Sequence, residues 1–555
     1  MRLIVLLLFG LPFITIAQGN QALLQKADSF YRAKNYAEAA RLGEAFLKTD
    51  STSDGVTYSI AVYHAMAGQN SKAMYYLRQA FKLGFASKYL DQQPNLVNLH
   101  NEKDWPDLVK LSAENYNLMV VRRAQKAKEM SARYKAWQKE WEAKNRVFFK
   151  KSDITGSAET LYKRFKTFNN YKPVSSLNRY LLFYYNVKDS TDAPFTVLLP
   201  KDYCPDVSYP VLIVLHGAVG MQASFPPYPD SAVTGHYNRH FTKYATANNM
   251  IVVYPSANSQ YNWMYPDDGF VMVPSIATYL KQFLNIDDHR VYLTGHSNGA
   301  TGAFSYLMKA PNLFAAFTGM NTQPKVRTGG TFLMNALNRS FYAIATDKDY
   351  YYPPQANDSL LNLAKEVELD WTLDMNKGYP HWFPQYDAAD EAVRKMFVSL
   401  VSKRRNPFHA SLYWQCDDVT YGRCDWLSIT ELDTLKQPAA WQKQYNFGIH
   451  SWIDRGNPDK IIDSTEEAFH FPRKSGAVKA GYKNNRFTIK TSGVKSIRLY
   501  LSPEMIDFTR PITIVLNNKK VFYKKMNYNK AFLLDDFERN FYRRALWVNG
   551  IDLKL

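Results

Sequence analysis

Cysteine is nearly absent from this chain: 555 residues hold three, which excludes a fold stapled throughout by disulfides. Cys416 and Cys424 stand close together in "CDDVTYGRC" and can close one loop in an oxidising compartment or pack as separate small buried residues, while Cys204 stays single. Long apolar runs are missing too. After residue 17 no stretch approaches the ~20 apolar residues that a membrane span needs, so no span is expected. Acidic residues are outnumbered, 50 Asp and Glu against 69 Lys and Arg, for a net charge of +19. That balance suits nucleic acid, yet no recognisable nucleic-acid module accompanies it. Arg122 to Lys151 alone holds eleven Lys or Arg against three Glu. In a segment that otherwise looks helical, such a run reads as a solvated face, with contact to an anionic envelope or polysaccharide surface as the second reading. No nucleic-acid partner is expected.

What is present points to several units, since a chain of this length with 46% hydrophobic residues can bury more than one core. Residues 1–17, "MRLIVLLLFGLPFITIA", carry one Arg, an apolar run from Leu3 to Ile16 and then small Ala17. The run is short for a span and reads as a cleaved secretory signal, so the mature protein is expected to be exported, periplasmic or secreted. No Cys follows the run, so no lipoprotein anchor is expected.

Residues 18–112 repeat themselves at a spacing of 34: Ala27 matches Ala61, Ala33 matches Ala67 and Ala39 matches Ala73. Small residues at those offsets let paired helices approach closely. The copies "ADSFYRAKNYAEAARLGEAFLK" and "AVYHAMAGQNSKAMYYLRQAFKLG" each fit two amphipathic helices, with turns at Asn35 and at Gly68 to Asn70, and "LVNLHNEKDWPDLVKL" is a partial third unit. The segment resembles tetratricopeptide repeats, which implies a helical region able to take a protein partner. Residues 113–150 follow as a charged helical linker; Leu118, Val121, Tyr134, Trp137 and Trp141 are too irregular for a heptad seam.

Over residues 151–404 the texture becomes α/β. Short apolar runs such as "FTVLLP", "YPVLIVLHG", "MIVVYPSA", "RVYLTG", "SFYAIAT" and "LDWTLDM" alternate with helical segments, as buried strands of a mainly parallel sheet do. Over residues 405–555 helices thin out and hairpin signals appear: "NRFTIKT", Ser492-Gly493, "VKSIRLYLS", then "PITIVL", Asn517-Asn518, "KKVFYKK". A C-terminal β-sandwich is expected there.

Gly295, His296, Ser297, Asn298 and Gly299 form a G-x-S-x-G where the strand "RVYLTG" meets the helix "NGATGAFSYLMKA". A nucleophile elbow needs that junction: the sharp turn lifts the hydroxyl above the sheet, and flanking glycines tolerate the crowding. The amide of Asn298 opens the helix and can donate to an oxyanion. The loop after "LIVLHG" supplies a second donor at Ala218 or Val219. The order Ser, acid, His that this arrangement imposes leaves His381, in "KGYPHWFP", as the one histidine between Asn298 and Phe408. The acid lies between them, and "TDKDYYYPP" offers Asp347 and Asp349.

Taken together, "RVYLTGHSNG", "LHGAVG", "DDGFV" and "GYPHWFP" resemble the secreted α/β-hydrolase esterases related to polyhydroxybutyrate depolymerases and to feruloyl and acetylxylan esterases, over roughly residues 180–402. In those proteins a strand is followed by a glycine, two residues, the acid and a V-P-like pair. Aligning on Pro353 places the acid at Asp349, with Thr346 where the glycine is usual. The resemblance implies a Ser297, Asp349 and His381 triad, an oxyanion hole at Ala218 and Asn298, and neither metal nor organic cofactor. Ala218-Val219 depart from the further glycine common after His-Gly. The expected activity is hydrolysis of a carboxylic ester through an acyl-enzyme, with an acylated polysaccharide or a polyester as the candidate polymeric substrate. A peptidase of the same fold and an inert scaffold binding envelope partners or glycans are the rivals.

Overall fold

The computed structural model describes residues 11–147, 154–174, 179–189, 191–228, 237–265, 268–457 and 459–555. The first ten residues of the expected signal therefore lie outside the described residues, as do residues 229–236. Contacts divide the chain into two compact units, Met1–Met130 and Ser131–Leu555.

In the first unit, helices Leu11–Arg32 and Tyr36–Leu47 are followed by Asp54–Met66 and Asn70–Lys82. The Asn35 side chain accepts the Glu38 N–H and Ser53 accepts that of Val56, so each helix start satisfies one orphan donor. Of the alanines spaced by 34, Ala27, Ala39, Ala61 and Ala73 are buried. A Cβ on Gly43 would stand 2.5 Å from Ile60 Cγ1, which shows how closely the second and third helices approach. Leu96, Leu99 and Trp105 join the core of the helix pair that precedes them.

The charged helix expected over 113–150 starts earlier, at Trp105, and ends at Asn145. Its last turns, which belong to the second unit, are not a solvated strut. Trp137 and Trp141 lie 5.7 and 5.1 Å from the Phe183 ring. Gln138 accepts the Tyr184 N–H at 2.7 Å and donates to its carbonyl at 3.1 Å. The irregular aromatic spacing fits a helix packed against a sheet edge rather than another helix.

The second unit is built on an eight-stranded mixed sheet: β1 (Tyr180–Lys188), β2 (Thr191–Leu198), β3 (Tyr209–Leu215), β4 (Ile251–Pro255), β5 (Ile286–Gly295), β6 (Ala316–Met320), β7 (Ser340–Lys348) and β8 (Trp371–Pro380). The order is β1-β2-β4-β3-β5-β6-β7-β8, with β2 antiparallel to β1 and β4 and the remaining pairs parallel. β3 is buried throughout. Val211, Ile213 and Leu215 enter one core with Ile276, Leu280 and Phe304, while Leu212 and Val214 enter another with Phe241, Met396 and Leu400. This two-faced burial explains its unbroken apolar run, because alternate side chains meet helices on opposite sides. The layout is that of an α/β-hydrolase domain.

Beyond residue 405 lie a five-stranded sheet, a four-stranded sheet and a two-stranded one. The larger two share a core containing Trp414, Trp426, Ile489, Ile497 and Leu499. Asn517 and Asn518, at φ 48° and 68°, turn the hairpin between Ile512–Leu516 and Lys519–Lys524, as a two-residue turn with two left-handed positions does. The hairpin expected at Ser492-Gly493 does not form. Arg486–Ser492 pairs within the five-stranded sheet, and Val494–Leu501 pairs within the four-stranded one. Gly493, at φ 62°, carries the chain from one sheet to the other. Cys416 and Cys424 are unbonded and buried, one in each sheet, and Cys204 is also free.

Candidate active site

Ser297 sits between the end of β5 and the helix Asn298–Lys309 with φ 57° and ψ −122°. A non-glycine residue held there costs on the order of 1–3 kcal/mol, so its surroundings must over-determine it. Those surroundings are tight. A Cβ on Gly299 would fall 2.0 Å from the Leu215 carbonyl oxygen, and one on Gly295 2.6 Å from the same atom. The Ser297 N–H donates to the Met320 carbonyl at 3.0 Å, which ties the turn to β6.

His381 follows β8 directly. Its Nε2 lies 2.8 Å from Ser297 Oγ, and its Nδ1 lies 2.9 and 3.0 Å from the two carboxylate oxygens of Asp349, just beyond β7. A carboxylate can only accept, so Nδ1 carries the proton and Nε2 presents its lone pair to the serine hydroxyl. His381 and Asp349 are 1% and 2% exposed, whereas Ser297 is partly open to solvent. Asp349 also accepts the Tyr351 N–H at 2.8 Å and the Asn321 side-chain amide at 3.0 Å. Asp347 is engaged elsewhere, accepting the Gly378 N–H at 2.6 Å.

Ala218 stands in the left-handed region at φ 54° and ψ 34°, a conformation that glycine adopts more readily. Of the two donors that the loop offered, the Val219 N–H is taken by Asn298 Oδ1 at 3.2 Å. The amides of Ala218 and Asn298 have no acceptor among the described residues. A Cβ on Gly217 would lie 3.0 Å from Ser297 Cβ, so the loop approaches the serine closely because that residue lacks one.

The motif's other histidines have fixed structural partners. His216 Nε2 accepts the Ala257 N–H at 3.0 Å, so its Nδ1 donates to the Gly217 carbonyl at 2.7 Å. Burial lowers its pKa. His296 Nε2 donates to the His381 carbonyl at 2.8 Å, and burial beside the His381 ring pushes its pKa down to about 4. Both are neutral at pH 7.

Asn321, at the end of β6, escaped the sequence reading. It holds φ 51° and also donates to Thr346 Oγ1 at 2.6 Å. An Asn after an apolar strand tolerates the left-handed region, but nothing local links it to an acid 28 residues on. Of three aromatics beyond β4, Trp263 is fully buried, and a Cβ on Gly302 would lie 2.4 Å from its ring. Tyr261 stacks at 6.1 Å on Phe225, and Tyr265 is exposed. Around His381 the exposed aromatics are Tyr351, 4.3 Å away between ring centroids, and Trp382 at 5.2 Å. Among the described residues no group of three or more His, Cys, Asp or Glu side chains is arranged to hold a metal, and no helix is long and apolar enough to cross a membrane.

No protein-family model and no curated protein matches the chain. Among solved structures it is similar to a thermostable esterase, with 19% identity over 41% of this chain and 64% of that one at a TM-score of 0.34. It is also similar to a ferulic acid esterase, with 16% identity over 40% of this chain and 98% of that one at 0.33. A third similarity is to dipeptidyl peptidase 4 of Porphyromonas gingivalis, with 12% identity over 41% and 36% of the two chains at 0.33.

Proposed function

We propose that this protein is an exported serine hydrolase that cleaves carboxylic esters through an acyl-enzyme. The observation that carries the reading is the unbroken hydrogen-bonded line from Ser297 Oγ through His381 to Asp349, at a strained strand-to-helix turn beside two amides that have no acceptor among the described residues. Ser297 Oγ attacks the ester carbonyl while His381 Nε2 takes its proton. The Ala218 and Asn298 amides hold the oxygen that becomes negative. As the tetrahedral species collapses, the imidazolium returns the proton to the departing alcohol. Asp349 keeps the histidine in the required tautomer and stabilises its charge. Water, deprotonated by His381, then releases the acid and frees Ser297.

The reading of export rests on Arg2, the apolar run from Leu3 to Ile16 and Ala17. We read the paired helices up to Lys82 as tetratricopeptide-like hairpins that engage a protein partner, on the 34-residue spacing and the buried alanines. The two sheets around Trp414 and Trp426 we read as a β-sandwich module. One experiment tests activity and export together. A fluorophosphonate probe applied to the exported fraction of producing cells should label a chain that begins after Ala17, and Ser297→Ala should abolish labelling with the circular dichroism unchanged. Labelling that persists in the mutant removes Ser297 as nucleophile; a labelled chain confined to the cytoplasm with residues 1–17 still attached removes the export.

A further inference from the structure

A two-stranded arm, Gly448–Ile453 paired with Ile461–Glu467, stands apart from the larger sheets of the C-terminal region. Its root is fixed: Ile449, Ala468 and Phe469 share a core with Leu333, Tyr352 and Leu360, on and beside the helix Pro354–Glu366. Its tip is shaped by Asp454, whose carboxylate accepts the N–H groups of Gly456 and Asn457 at 2.8 and 3.0 Å. Lys348, at the end of β7, meets Asp459 of the tip at 3.5 Å. The arm thus ends over the loop that carries Asp349.

At that tip stands Arg455. Its guanidinium carbon lies 5.8 Å from the Tyr350 ring centroid and 5.9 Å from that of Tyr351. The two tyrosines pack at 4.4 Å, and Tyr351 packs against His381 at 4.3 Å. Two aromatic contacts therefore lead from the guanidinium to the imidazole. Among the described residues Arg455 meets no carboxylate. Asp459 is taken by Lys348, Asp454 by the turn and by Lys460 at 3.8 Å, and Asp347 by the Gly378 N–H. The side on which this cation stands follows from the chemistry. His381 Nε2 returns a proton to the leaving oxygen, so the alcohol part of an ester departs on the histidine's side.

We propose that Arg455 recognises a carboxylate on the alcohol part of the substrate, so that the ester cleaved is one of an anionic, ring-bearing alcohol; this rests on reading Ser297, His381 and Asp349 as an ester-cleaving triad. The exposed faces of Tyr351 and Trp382, each 42% exposed, offer the ring a surface, and the guanidinium meets the charge. Arg455 is a specificity residue that takes no part in the bond changes.

The test compares 4-acetoxybenzoate with 4-acetoxybenzamide, which share the acetyl group and differ in the charge of the leaving phenol. Arg455→Gln should lower kcat/KM for the benzoate about 5-fold, the scale of one exposed ion pair, mainly through KM, and leave the benzamide unchanged. Arg455→Lys should retain part of the preference, and added salt should shrink it in the wild type. If the wild type cleaves both esters and Arg455→Gln alters both equally or neither, the recognition of charge is overturned and the triad stands. If the wild type cleaves neither and a fluorophosphonate fails to label Ser297, the triad reading falls and this inference with it.

Discussion

At the scale of single residues, the acid is the sharpest point of the site. Asp347 and Asp349 are two positions apart, and on a regular extended segment such residues line the same face. The structure separates them instead, because β7 ends at Lys348 and its pairing with β8 shifts between Thr346 and Lys348: Asp349 meets His381 Nδ1, while Asp347 accepts the backbone N–H of Gly378. Asp349→Asn should cut kcat by about 10⁴ by presenting the wrong tautomer, while Asp347→Asn should cost only a few-fold. Rates of the purified, folded mutants on a small soluble ester check both, and the reverse ranking moves the acid to Asp347. The two aspartates were both legible in the sequence, and only the offset to Pro353 in the resembling esterases chose between them. Asn321 was not legible, because its value comes from β6 lying beside β7, a neighbourhood that no local pattern encodes. Arg455 was hidden for the same reason, since the chain runs through another region before the arm returns it to the Asp349 loop.

At the scale of elements, the strands carrying the site were readable because burial on both faces gives unbroken apolar runs, as in β3. Turns were readable where their chemistry was local. Asn517-Asn518 adopts the two left-handed positions that close a hairpin, whereas Gly493 permits a tight bend without dictating which sheet the next strand joins. The long helix was least readable. Its charge pattern announces solvent, yet Trp137, Gln138 and Trp141 close the outer strand β1. A chain shortened to begin at Ser131 should therefore turn over a small soluble ester at near-normal rate. One begun at residue 150 leaves the Tyr184 N–H and carbonyl without Gln138 and uncovers Phe183, and should lose about 3 kcal/mol or more of stability. Urea unfolding of the two proteins measures the difference; equal midpoints would mean that the helix end is dispensable.

At the scale of the whole molecule, the eight-stranded sheet depends on residues far along the chain. The Arg543 backbone N–H donates to Asp288 at 2.7 Å, and its guanidinium donates to the Asn285 side chain at 2.9 Å and the Ile286 carbonyl at 2.6 Å, at the root of β5. Tyr542 lies beneath the buried Lys281, whose pKa burial lowers to about 8 despite Asp288 at 2.6 Å. Helix Lys530–Asn540 packs Leu533 and Phe537 against Leu161 and Phe165 ahead of the sheet. Arg543→Ala keeps the backbone N–H to Asp288 but strips the Asn285 side chain and the Ile286 carbonyl of their guanidinium donor, and should cost about 2 kcal/mol or more, read as a lower urea midpoint; a midpoint equal to wild type would mean that the guanidinium is dispensable at the root of β5. The same tie sets a clock. Asp288 precedes Arg543 by 255 positions, which at the usual pace of synthesis is roughly 10–50 s. For that interval the strand that leads into Ser297 waits on a ribosome for its anchor, so the turn at Ser297 gains its full support only after Arg543 has been made.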